Sequence, residues 1–439
     1  MNNYFKRDFF LNLSSYLLCL MPLALITGPL IPEIFILVIS ITFIYFIIKK
    51  KKYKIFKKPI IIFFICFSVL IATRSIFSED IFFSLKNSLF YFRFILFALA
   101  ISFLLNFNSN LKLNFFNFLS FILLLLCSDA IIQIIFGINL TGFSPDSTIR
   151  ISSFFNDELI LGSYLQKILP IYIALYFCFE FKEKRKNIYH FFIIVLTFAV
   201  IFRSGERTAF FLILLYLFVL FILISNIKFK KRNIALLAFL FLTILSIQNP
   251  EILRRNFVET YNQITGQYPA LIKSSKIDSS EDYYAPKSEE KFIFFSSMHD
   301  NHIKSAYKIF KDNIIFGHGV KMFRIICQKE KYFENRESCN THPHHTYAQL
   351  LAETGLIGFI MFFGLFIIIS IKLFKIFFYK YVSKKKVKIT NYELCLLIAF
   401  FVTLWPIIPS GSFFNNWLNI LYFFPLGFYL ENKLKVLKK

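Results

Sequence analysis

His342-Pro343-His344-His345 runs directly into Thr346-Tyr347-Ala348-Gln349-Leu350-Leu351-Ala352-Glu353-Thr354-Gly355-Leu356-Ile357-Gly358-Phe359-Ile360-Met361-Phe362-Phe363-Gly364-Leu365-Phe366-Ile367-Ile368-Ile369-Ser370-Ile371. Glu353 is the only charged side chain from Thr346 to Ile371, and the stretch exceeds the ~20 apolar residues a helix needs to cross a bilayer core. The pattern repeats along the chain. Its 439 residues are 57% hydrophobic and include 63 Phe, with a mean hydropathy of +0.61. Only helices satisfy their own backbone hydrogen bonds segment by segment in lipid, so the apolar runs are read as helices despite their Phe, Ile and Tyr content. Six of the seven histidines fall between His299 and His345, where a polar loop re-enters the membrane. That gathering of titratable groups suggests chemistry at the membrane surface.

The expected fold is an all-α polytopic membrane protein of about twelve transmembrane helices. The spans are predicted at 9–27, 31–48, 59–74, 87–105, 114–136, 159–179, 189–203, 206–226, 233–248, 346–371, 392–408 and 415–430. This divides the chain into a membrane domain, 1–248, with nine spans, a large external loop, 249–345, and a second membrane domain, 346–439, with three. The first span lacks a small-residue cleavage site and is followed by further spans, so it is read as a retained helix.

The net charge of +24 looks at first like a nucleic-acid signal. Its distribution says otherwise. The termini and the connections after spans 2, 4, 6, 8 and 10 hold 29 Lys and Arg, whereas the short connections on the other side hold five: Arg74, Lys86, Arg150, Arg203 and Arg207. Such asymmetry orients a multi-pass protein, and it puts both termini in the cytoplasm. The loop 249–345 has 14 basic and 12 acidic residues and is close to neutral. The basic balance is therefore a topology signal, and nucleic acid is excluded as a partner.

Cys19, Cys66, Cys127, Cys178 and Cys395 fall in predicted spans, where a free Cys is usually a small core residue. Cys327 and Cys339 share the loop, and a disulfide between them is expected if that side is oxidising. Within the loop, Ser274 to Glu290 has little to bury and reads as flexible. From His299 onward Ile303, Ala306, Tyr307, Ile309 and Phe310 recur at helical spacing. That fits an amphipathic helix lying on the membrane surface or packed against the spans.

The five basic residues on the sparsely charged side are informative. Arg203 and Arg207 share a face if helical, while Ser204 and Gly205 between them suit a tight turn. A helix N-terminus there turns free N–H groups outward and favours a phosphate. Snorkelling to lipid headgroups or pairing with Glu206 is the plainer alternative. Arg150 is a similar candidate. A helix beginning near Pro343, capped by Thr341 or His342, places His344 and His345 at a positive helix end. There an imidazole stays neutral and able to accept a proton. Glu353 lies about 13 Å further along such a helix, from the 1.5 Å rise per residue. It must face the bundle interior or a water-filled cavity, as a structural carboxylate or a substrate contact.

The run His342 to Gly358 resembles the His-Asn, Leu and Glu-Thr-Gly-x-x-Gly motif of the O-antigen ligase and polymerase family of lipid-linked glycan transferases. Ser204 to Ala209 resembles that family's Arg motif at a helix start, and Asp312 to Gly319, running on to Arg324, resembles the segment before its catalytic loop. The resemblance covers about Arg150 to Gly358. His345 stands where the family usually has Asn.

The resemblance implies transfer of a glycan from an undecaprenyl-diphosphate carrier to a sugar hydroxyl, of a lipid A core or a growing polysaccharide, at the periplasmic face of the bacterial inner membrane. His344 is then the base and Arg207 the principal diphosphate contact, with Arg203, Arg150, His345, His342 and Glu353 as further substrate contacts. Membrane lipids are the surrounding partners, and no cofactor is implied. The chain contains no Asp-x-Asp pair, and the loop has no histidine-plus-carboxylate zinc motif, so a metal-independent mechanism with arginines replacing the cation is expected. Gly317-His318-Gly319 is not a dinucleotide fingerprint. The competing class is a lipid-linked glycan transporter or flippase, but transporters usually bind near mid-membrane and show two similar halves, and no halves match here.

Overall fold

The computed structural model describes residues 9–145, 150–179, 181, 183–224, 250–265, 296–333, 338–385 and 388–431. The predicted ninth span, 233–248, and the stretch from Ser274 to Glu290 lie outside them. Among the described residues every regular element is helical. Phe9–Ala24, Leu30–Lys49, Pro59–Ile76, Arg93–Phe107, Leu111–Phe136, Leu161–Phe179, Lys184–Arg203, Arg207–Leu223, Thr346–Tyr381, Asn391–Thr403 and Asn416–Glu431 form the membrane bundle. Among the described residues seven helices, with Ile81–Phe107 taken as one, are long and apolar enough to cross a membrane by length and composition, and Phe9–Ala24, Arg207–Leu223 and Asn391–Thr403 are apolar but shorter.

Local chemistry explains several ends. Pro59 occupies the first turn of its helix, where its missing N–H costs nothing. Thr390 and Glu393 form a reciprocal capping box on Asn391–Thr403. Asp80 caps the short helix Ile81–Ser88, so the predicted fourth span, 87–105, is two helices separated by a turn at 89–92. The predicted eleventh span stops as a helix at Thr403, before Pro406 and Pro409. A residue ahead of proline is disfavoured in the α conformation, and the chain from 404 to 415 is irregular.

Aromatic rings fill the bundle. Phe67 packs edge-on to Phe362 with centroids 4.8 Å apart, and Phe64 sits at the same distance from Phe423. The Asn416–Glu431 and Arg93–Phe107 helices lie so close that a Cβ on Gly427 would come within 2.5 Å of Ile101. Small residues permit such approach, and tight van der Waals contact is what holds helices together in lipid.

The Thr346–Tyr381 helix is interrupted. Gly355 has φ 64° and ψ −163°, outside helical space, a conformation that only glycine adopts readily. A break in a membrane helix leaves peptide groups without partners, and they must be satisfied by protein. The segment 314–319 does this. His318 N–H donates to the Ala352 carbonyl (3.0 Å) and Gly319 N–H to the Glu353 carbonyl (2.8 Å), while Leu356 N–H donates back to the Ile314 carbonyl (2.8 Å). Arg74 clamps the same segment through the Gly317 carbonyl at 2.7 Å.

The amphipathic helix runs Ser297–Asp312. It buries Ala306 and Ile309 against Met322, Phe323, Ile326, Ala348 and Ala352, so it packs on the Thr346–Tyr381 helix. Cys327 and Cys339 are joined, with Cα atoms 5.3 Å apart.

Candidate active site

The helix after the histidine run starts at Thr346, three residues later than a start at Pro343. Its cap is His345, whose Nδ1 accepts the Ala348 N–H at 3.2 Å. The other ring nitrogen meets the Pro406 carbonyl at 2.8 Å. A carbonyl only accepts, so Nε2 carries the proton and Nδ1 the lone pair. Both ring nitrogens of His345 are thereby engaged in holding structure.

His344 precedes this cap with φ 51°, a left-handed conformation that costs a non-glycine residue ~1–3 kcal/mol and persists only where its surroundings enforce it. The enforcement comes from the chain at 404–413. Ser410 N–H donates to the His344 carbonyl at 2.8 Å, Thr346 and Ser410 hydroxyls meet at 2.8 Å, Tyr347 donates to the Leu404 carbonyl at 2.7 Å, and Phe413 N–H donates to Gln349 Oε1 at 2.8 Å. The rings of His342, His302 and His299 surround His344 at 4.1, 5.3 and 5.6 Å between centroids. Asn340 Nδ2 donates to His344 Nε2 at a long 3.3 Å, which leaves that nitrogen as the lone-pair side. Burial holds His344 below the ordinary histidine range. Burial and the neighbouring rings lower His299 to about 4 and His342 to about 3.

His344 and His299 open onto a cavity of about 1280 Å³ that is also lined by Arg150, Glu206, Arg207, Arg255, Lys167, Lys321, Trp405 and Trp417. Arg207 begins the helix Arg207–Leu223 and donates to Gln263 at 2.8 Å. Arg203 ends the preceding helix, and Gly205, at φ 71°, turns the chain between them. The two arginines therefore do not share one helical face. The turn packs against the start of the Leu161–Phe179 helix, where a Cβ on Gly162 would lie 2.3 Å from Ser204 Oγ.

Glu206 stands at the cap position of Arg207–Leu223 yet spends its carboxylate elsewhere. It accepts from Gly162 N–H at 2.6 Å and Ser163 N–H at 3.0 Å. Its side chain makes no capping bond to its own helix, and Arg207 and Thr208 of that helix's first turn line the cavity, where a helix N-terminus favours an anion. Arg150 donates to the Leu159 carbonyl at 2.7 Å, and its charge lies close enough to influence Glu206.

Of the residues singled out from sequence, Arg150, Arg207 and His344 line the cavity, whereas Arg203, His342, His345 and Glu353 do not. Glu353 is fully buried and accepts from Lys321 N–H at 2.8 Å, Phe323 N–H at 3.3 Å and Gln349 Nε2 at 3.1 Å. Its oxygens fasten the loop to the broken helix.

Sequence reasoning missed Lys167, Arg255 and Lys321. Lys167 carried a signal, because it is the only charge between Leu161 and Phe179, and a lone charge in a membrane span is a functional candidate by default. Arg255, which donates to the Gly205 carbonyl at 3.0 Å, and Lys321 sat unremarked in a nearly neutral loop. Among the described residues no group of three or more His, Cys, Asp or Glu is arranged to hold a metal ion.

Compared with known families, residues 192–363 match the model described as O-Antigen ligase. No curated protein matches the chain at a significant level.

Proposed function

We propose, from the match of residues 192–363 to the O-antigen ligase family, that this chain moves a glycan from an undecaprenyl-diphosphate carrier to a sugar hydroxyl. The observation that carries this reading is the shared wall of one cavity. His344, whose Nε2 receives only a long 3.3 Å contact from Asn340, lines the cavity together with Arg150, Arg207, Arg255 and the first turn of the helix Arg207–Leu223, all set among apolar spans suited to a polyprenyl tail.

The chemistry needs little more. The acceptor hydroxyl displaces the long Asn340 contact, His344 Nε2 takes its proton, and the hydroxyl oxygen attacks the anomeric carbon. The bond from that carbon to the diphosphate oxygen breaks, and the electron pair leaves with the diphosphate. Arginines and the helix terminus stabilise the departing charge, and the proton passes from the imidazolium to water. The carrier-linked glycan is the donor, a lipid A core or a growing polysaccharide is the acceptor, and the arginines supply the positive charge that a cation provides in other transferases.

The placement we propose is a bacterial inner membrane, with twelve spans, both termini in the cytoplasm and the cavity facing the periplasm. The basic-residue asymmetry supports it.

The glycan profile of cells lacking the protein tests the function and sorts its two forms. Loss of capped lipopolysaccharide with long carrier-linked chains retained means ligase. Attachment of single repeats only means polymerase, and an unchanged profile overturns the proposal.

A further inference from the structure

Lys321 stands apart from the other cations of the cavity. Its neighbours in charge are Arg324, Glu353, Arg93 and Lys86, none of which belongs to the group of Arg150, Arg255 and Glu206. Its backbone is left-handed, φ 60°, and its N–H is fixed to Glu353 Oε2. The main chain is therefore pinned in a strained conformation that leaves the side chain on the cavity wall. Phe323 and Gln349, with the Lys321 N–H, occupy the Glu353 oxygens. Among the described residues Lys321 and Arg324 thus have no carboxylate in ion-pair contact, and Arg324 Nε is buried without a hydrogen-bond partner.

Charge balance points the same way. Among the described residues five lysines and arginines line the cavity against two carboxylates, Glu158 and Glu206, and Glu206 is already spent on a helix N-terminus. A glycosyl diphosphate ester brings one negative charge on each phosphorus. A positive charge is left over, on the side where Lys321 sits, and an uncompensated charge in a membrane-embedded cavity is costly.

We propose that Lys321, backed by Arg324, is a second anion site of this cavity, which recognises a phosphate or carboxylate on the acceptor saccharide. The inference rests on the transferase reading and narrows it: the acceptor is an anionic sugar, held by its charge so that its hydroxyl meets His344, while the diphosphate occupies the Arg207 side.

The test is binding to the purified full-length protein in nanodiscs, with glucose 6-phosphate, glucuronate and glucose as probes. Wild type is expected to bind at least one of the charged sugars tenfold or more tightly than glucose. Lys321→Asn, which tolerates the left-handed backbone, is expected to lose that difference, and Lys321→Arg to keep it. In transfer assays Lys321→Asn should raise the acceptor KM about tenfold and leave the donor KM within twofold. Equal binding of charged and neutral sugars by wild type, or equal rises in both KM values, overturns the proposal. If nanodiscs of phosphatidylglycerol abolish charged-sugar binding that phosphatidylcholine nanodiscs permit, Lys321 holds a lipid headgroup and the acceptor reading is overturned. Absence of transfer by wild type counts against the transferase reading; transfer that runs with the acceptor KM unchanged in Lys321→Asn counts against this inference alone.

Discussion

His345 is bound at both ring nitrogens, to Ala348 N–H and to the Pro406 carbonyl at 2.8 Å, while its neighbour His344 lines the cavity with Nε2 in a long 3.3 Å contact with Asn340 Nδ2. Adjacent histidines thus have different work, and substitution separates them. His345→Asn keeps a side-chain cap and is expected to retain transfer within a few-fold, whereas His345→Ala forfeits the cap and about 1 kcal/mol of stability. His344→Asn accepts the left-handed backbone but has no base, and should lose about a hundred- to ten-thousandfold in transfer with normal abundance. Full activity in His344→Asn would remove imidazole catalysis from the account.

Arg207→Lys should impair transfer as well, by tenfold or more, because an ammonium does not reproduce the two-pronged guanidinium contact with a diphosphate. The assay is donor KM and kcat on carrier-linked glycan. Wild-type kinetics in the lysine variant would reduce Arg207 to a plain charge.

Stability should depend on pH in one direction. Burial, aided by the surrounding rings, Arg207 and Arg324, holds His299 at about 4 and His342 at about 3 against an ordinary 6.5. The unfolded chain therefore binds more protons than the folded one below pH 6.5, and stability falls as pH drops from about 6.5 toward 4. Thermal unfolding in detergent between pH 7.5 and 4.5 measures this, and a double variant His299→Gln/His342→Asn should flatten the slope. A flat wild-type profile would contradict the burial of these rings.

Gly355→Ala should be among the most damaging single-methyl additions in the chain. The new Cβ would meet the Ile315 carbonyl oxygen at 2.3 Å, on a backbone whose φ of 64° already disfavours it. We expect a loss of several kcal/mol and little folded protein on size exclusion. Gly364→Ala, in the same helix with nothing within 4 Å, is the control and should be neutral.

Reduction of the Cys327–Cys339 bridge should release the loop that leads into the histidines, at a cost of about 3 kcal/mol for a loop of this length. Unfolding midpoints with and without reductant report it. A shared midpoint would mean that the native contacts of the loop suffice.

The helices were legible because a bilayer demands long apolar runs and little else resembles them. The interruption at Gly355 was not, because glycine is ordinary in membrane helices and its partner, Gly317, lies in a distant polar segment. Pro406 and Pro409 did announce that the eleventh helix ends at Thr403, a proline signal outweighed by hydropathy. Within the site, Arg207 and His344 stood out through their positions at helix starts. Arg255 and Lys321 became visible only when folding brought them to the same wall, since one charge among the 14 basic residues of a loop carries no local mark.

The mended break in the Thr346–Tyr381 helix has a consequence for biogenesis. Residues 314–319 leave the ribosome before 352–357, and until the two meet, the emerging helix carries open peptide groups at Gly355 that lipid cannot receive. The helix therefore cannot be completed in the bilayer first and decorated with its loop afterwards. Lateral release from the insertion machinery and docking of the 314–319 segment are then a single event, so a defect in the loop will surface as failed membrane integration.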